Sequence, residues 1–99
     1  METQIERITR MEQALNSCTD AVEALCAALD RYDAVQEQLA ALADYYSNGE
    51  WSRDHDDDAE GRLPADLPRG VLCEDPIYDL LGDQQALLER MQELISKCT

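Results

Sequence analysis

Residues 11–46, MEQALNSCTDAVEALCAALDRYDAVQEQLAALADYY, decide the fold. Apolar side chains step through them by three and four. One row is Met11, Cys18, Leu25, Tyr32, Leu39 and Tyr46; the other is Leu15, Val22 and Leu29, continued by Gln36 and Ala43. Side chains at these intervals share one face of an α-helix, and a row sustained over about five heptads is the seam of a helix that pairs with another helix. Gln36 is the one interruption in it.

Outward from this stretch, Thr3-Gln4-Ile5-Glu6 is a capping box in which the Thr3 hydroxyl accepts from the Glu6 backbone N–H and Glu6 reaches back. Neither Pro nor Gly occurs between Met1 and Asn48. The first helix is therefore expected over residues 3–47, about 65 Å long if unbroken. Its weakest point is Asn16-Ser17-Cys18-Thr19-Asp20, where poor helix formers cluster. Asn48-Gly49 supplies a left-handed stop. A second helix is expected over 75–97: Asp75 caps it, Pro76 at its first position has no N–H to leave unpaired, and Ile77, Gln84, Met91 and Cys98 alternate with Leu81, Leu88 and Ile95 along its seam. Gly82 costs about 1 kcal/mol there, and the leucines on both sides carry the helix past it.

Two helices of about 65 and 33 Å do not match. A second helix folding back on the first covers half of it and leaves Ile8, Met11, Leu15 and Val22 in water, too long an apolar stripe to stay exposed. The expected architecture is one all-α domain, residues 1–99: a long and a short helix in an antiparallel coiled-coil-like hairpin, joined by an ordered connector at 48–74 and doubled into a homodimeric bundle. The alternative is a monomeric three-helix bundle with the first helix broken near residues 16–20.

The totals exclude several functions. Ninety-nine residues bury only a thin core. The net charge of −14 comes with no basic stripe, so neither nucleic acid nor an anionic membrane surface is an expected partner. No apolar run spans a bilayer, and the N-terminus has no secretory pattern, which points to the cytoplasm. Cys18, Cys26, Cys73 and Cys98 are then reduced thiols; none stands in a Cys-x-x-Cys pair, so structural zinc is not expected.

The connector concentrates the rare residues: the single Trp and His, the three prolines and all but one of the glycines lie between Gly49 and Pro76. Asp54-His55-Asp56-Asp57-Asp58-Ala59-Glu60-Gly61 invites comparison with a calcium loop. Asp54, Asp56, Asp58 and Glu60 fit its first four ligand positions, but Ala59 stands where the turn needs Gly and Ala65 where a bidentate Glu is required. This is no EF-hand; a solvated acidic loop is the plain reading, with those four carboxylates as candidates for a looser divalent-cation site. His55 has no second histidine and no nucleophile in an elbow motif, and Gly49, Gly61, Gly70 and Gly82 are isolated, so neither a hydrolytic triad nor a phosphate cradle is assembled. Further on, Leu63, Leu67, Val71 and Leu72 are spaced to tuck under the loop with Trp51, Tyr45, Tyr46 and Tyr78, while Arg62 and Arg69 are natural ion partners for Asp66, Glu74 or Asp79. The candidate interaction surface is Trp51, Asp66, Arg69, Glu74, Asp75, Tyr78 and Asp79.

The wording Tyr45-Tyr46-Ser47, Trp51-x-x-Asp54 and Gly61-x-Leu63-Pro64-x-Asp66-Leu67-x-Arg69-Gly70-Val71-Leu72-x-Glu74-Asp75-x-x-Tyr78-Asp79-Leu80-Leu81 resembles a family of small bacterial proteins catalogued as domain of unknown function 4298. The resemblance covers nearly the whole chain. It implies a cytoplasmic helical protein and no reaction. Pro68 departs from the family's basic or polar residue at that place, and Pro76 stands where members often carry another residue. The functional expectation is a non-catalytic helical interaction or assembly protein, homodimeric, without cofactor. The alternatives are a divalent-cation-binding regulatory module and an acidic protein that binds a basic partner.

Overall fold

A computed structural model describes residues 1–98. The described residues form four α-helices and one 3-10 turn: α1 Gln4–Ala34, α2 Gln36–Ser47, α3 Glu50–Ala59, the turn Gly70–Leu72, and α4 Asp75–Cys98. The all-α class holds, but the two-helix antiparallel hairpin does not. The expected first helix is two helices, and the expected connector contains a third. The chain divides into two compact units, Met1–Glu37 and Gln38–Thr99.

In the first unit, the Thr3 hydroxyl accepts from the Glu6 N–H at 3.1 Å, as the capping box requires. Arg10 grips the Glu2 carboxylate through Nε at 2.7 Å and Nη2 at 2.9 Å, holding that carboxyl below its ordinary pKa. The helix runs unbroken through Asn16–Asp20. Five weak helix formers cost together at most about 3 kcal/mol, less than the roughly 4 kcal/mol of nucleating a helix afresh beyond a break. The break comes instead at Val35. The Tyr32 carbonyl accepts from the Val35 N–H at 3.3 Å and from the side-chain amide of Gln36 at 2.9 Å. Gln36, the polar interruption of the seam, thus occupies with its side chain the carbonyl that its own backbone N–H would take in a continuous helix.

None of the residues of α1 is buried. Leu15, Val22 and Leu25 are 61%, 68% and 57% exposed.

In the second unit the buried residues are Leu39 of α2, Leu72 of the 3-10 turn and Ile77 of α4. Both α3 and α4 pack against the 3-10 turn. That three-residue turn, set between Arg69 and Cys73, is the hub of the unit. Helix α4 starts at Asp75-Pro76 and passes through Gly82 without interruption.

Candidate functional site

The candidate site is the clasp formed by the end of α2, the whole of α3 and the segment 62–72. Asn48 and Gly49 start it. Gly49 has φ +97°, which returns the chain at low steric cost. The Asn48 side-chain oxygen accepts from the Glu50 N–H at 2.8 Å, and its amide donates to Asp44 at 3.2 Å and to Glu50 at 2.7 Å.

The acidic run is therefore helix, not solvated loop. Its C-terminus is a Schellman closure: the Gly61 N–H donates to the Asp58 carbonyl at 3.1 Å and the Arg62 N–H to the Asp57 carbonyl at 3.0 Å, with Gly61 at φ +75°. Asp is a poor helix former, which is why composition points to a loop. Trp51 and His55 are four residues apart, and Asn48-Gly49 and Glu60-Gly61 bracket the segment; those were the available helical signals.

Side-chain contacts tie α3 to its surroundings. The Trp51 indole N–H donates to the Val71 carbonyl at 2.8 Å. Its ring stacks on His55 (centroids 4.9 Å apart, planes at 25°) and meets Tyr46 edge-on at 5.3 Å. The Tyr45 hydroxyl donates to Asp54 at 2.7 Å. Loss of solvent, then the hydrogen bond to Asp54 and the negative charges of Asp54 and Glu50, push the Tyr45 pKa up to about 12. Arg69 pairs with Asp58 and donates also to the Pro64 carbonyl and, at 3.3 Å, to that of Leu67.

This assignment corrects the expected ion pairs. Arg62 binds Asp57 at 3.3 Å and Glu60 at 2.8 Å, and Arg69 binds Asp58; the acidic run, not Asp66, Glu74 or Asp79, receives both arginines. Both reach back because the Schellman turn reverses the chain directly after α3. Of the four candidate metal ligands, Asp54 is held by Tyr45, Asp58 by Arg69 and Glu60 by Arg62, while Asp56 lies 3.8 Å from His55. Among the described residues, no three His, Cys, Asp or Glu side chains converge in an arrangement suited to a metal ion.

Of the candidate interaction surface, Trp51 and Arg69 are half-buried and engaged inside the clasp, whereas Asp66, Glu74, Asp75, Tyr78 and Asp79 are exposed. A shallow cavity of about 300 Å³ lies beside the Tyr45–Asp54 pair, walled by Leu63, Leu67, Pro68, Val71 and Leu72. Its lining is apolar apart from that pair, and the pair is internally satisfied.

The residues that build the clasp fall within the stretch, residues 8–94, that matches the family described as Domain of unknown function (DUF4298). The chain belongs to this family. No curated protein matches it. The DUF4298 match takes in the whole of the clasp and nearly all of α1 and α4. The free thiols Cys18, Cys26, Cys73 and Cys98 are all exposed. No helix among the described residues is long and apolar enough to cross a membrane.

Proposed function

We propose that this DUF4298 protein is a non-catalytic helical interaction and assembly protein that acts as a homodimer, with α1 as the self-association surface and the clasp as an internal fastening. One observation carries this reading: α1 holds Ile8, Met11, Leu15, Val22, Leu25 and Leu29 at heptad spacing, and every one of them is exposed. Water opposes a stripe of that length, and a partner helix is what such a seam accommodates. The titratable groups of the clasp are committed to one another, which supports a structural over a chemical role. Exposed Tyr78, with Asp66, Glu74, Asp75 and Asp79, is the part of the clasp region suited to a further protein partner. Four unpaired cysteines favour the reducing cytoplasm.

Light scattering on the purified protein is the test. A mass twice 11.2 kDa is expected, and Leu15→Asp should weaken the dimer at least about a hundredfold by placing a carboxylate in each copy's seam. A wild-type monomer at millimolar concentration would overturn the reading.

A further inference from the structure

The seam of α1 carries information about direction. Its heptad row is Ile8, Met11, Leu15, Cys18, Val22, Leu25, Leu29 and Tyr32. Turned end for end against itself, this row matches by size: Cys18 meets Val22, Leu15 meets Leu25, Met11 meets Leu29 and Ile8 meets Tyr32. The small residues meet at the centre and the larger ones towards the ends. Beside the row, Ala14, Ala21 and Ala28 recur every seventh residue. In an antiparallel pair the flanking positions of one type face their own kind, so Ala21 meets Ala21 and Ala14 meets Ala28, which lets the helices approach closely.

Charge selects the same direction. Between Glu2 and Thr19, Arg7 and Arg10 offset two of the three carboxylates Glu2, Glu6 and Glu12, leaving one negative charge; between Asp20 and Ala34, Arg31 offsets one of Asp20, Glu23, Asp30 and Asp33, leaving three. A parallel pair sets the three-charge half against itself. An antiparallel pair sets it against the nearly balanced half and beside the positive end of the other helix's dipole. If each of the eight row side chains loses roughly 100 Å², each copy buries about 800 Å², the size of a standard interface.

We infer that the docking partner of the α1 face is a second copy of this chain, and that the two α1 helices pair antiparallel about a two-fold axis between Cys18 and Val22. The inference rests on the homodimer reading above and deepens it.

The experiment is a spin-label distance measurement on full-length protein with Glu6→Cys labelled, the four native cysteines replaced by alanine, and the mass checked by light scattering. An antiparallel pair separates the two labels by about 40 Å, from 1.5 Å of rise per residue, whereas a parallel pair holds them near 20 Å. A dimer giving any distance other than the long one overturns the antiparallel pairing and leaves the homodimer standing. A monomer overturns both. A second measurement keeps three of the native thiols: in Ala21→Cys with Cys18→Ala, mild oxidation is expected to join position 21 of the two copies, identified by peptide mapping. A parallel pair places these positions on opposite sides of the seam, beyond disulfide reach, so failure to cross-link in a confirmed dimer counts against the proposal.

Discussion

The indole nitrogen of Trp51 donates to the backbone carbonyl of Val71 at 2.8 Å, joining positions twenty residues apart. This bond fastens α3 to the 3-10 turn and gives that carbonyl a specific partner. Replacing Trp51 with Phe keeps an aromatic ring beside His55 and Tyr46 but removes the donor. The expected cost is about 1 kcal/mol, because Val71 is itself partly exposed and water takes over part of the bond. Urea unfolding should show a lower midpoint at unchanged slope; an unaltered midpoint would mean that the bond does not hold the clasp.

Arg69 serves three acceptors, the Asp58 carboxylate and the carbonyls of Pro64 and Leu67. Asp58→Ala removes one of them, so a loss of about 1 kcal/mol is expected after discounting for partial exposure. Arg69→Ala removes all three and should cost roughly twice that. Arg69→Lys keeps the charge but not the planar fork and should fall between the two. Chemical denaturation of the three variants gives the order; equal losses would show that only the ion pair counts.

Tyr45 titrates late. Its pKa rises from 10.0 to about 12 as burial and Asp54 oppose the phenolate. A group with a raised folded-state pKa contributes stability that is complete below its unfolded value and disappears as the pH climbs through the folded value. The contribution of Tyr45 is therefore present below pH 10 and lost between pH 10 and about 12. Ultraviolet titration of the folded protein should contain a tyrosinate component near the upper limit, absent in Tyr45→Phe and moved downward in Asp54→Asn. A titration curve identical in all three proteins would contradict this.

Gly61 closes α3 at φ +75°, and nothing lies within 4 Å of where its Cβ would be. Gly61→Ala thus introduces backbone strain without a clash, at a cost of about 1 kcal/mol. Gly61→Asn should cost less, since Asn tolerates the left-handed region better. Thermal unfolding of the pair separates the two; a larger loss for Asn would indicate a packing cause instead.

Much of the architecture was readable along the chain. The Thr3 cap, the Asn48-Gly49 stop and the Asp75-Pro76 start depend on a few neighbouring residues; the structure shows Thr3 accepting from Glu6 and Gly49 in the left-handed region, while α4 takes Asp75 as its first residue and Pro76 as its second. The break at Val35 was harder to read. Gln36 was visible as a polar intruder in the seam, but the competition of its side chain for the Tyr32 carbonyl depends on a rotamer. Helix α3 is not legible in the sequence for a related reason. Aspartates at 54, 56, 57 and 58 are unfavourable for an isolated helix, and they are tolerated here because Tyr45, Arg62 and Arg69 take up four acidic side chains, Asp54, Asp57, Asp58 and Glu60.

The sequence by itself determined the helical class, the ends marked by local chemistry and the heptad row along α1, because hydrogen bonds within three or four residues and the 3.6-residue period set them. Only the tertiary structure decided which cation meets which carboxylate and which carbonyl receives the Trp51 indole. Apart from Arg62–Glu60, two positions apart, those pairings span five to twenty positions of chain. They depend on the direction in which Gly61 turns the backbone, and an acidic run with several arginines nearby admits more than one arrangement until that turn selects one.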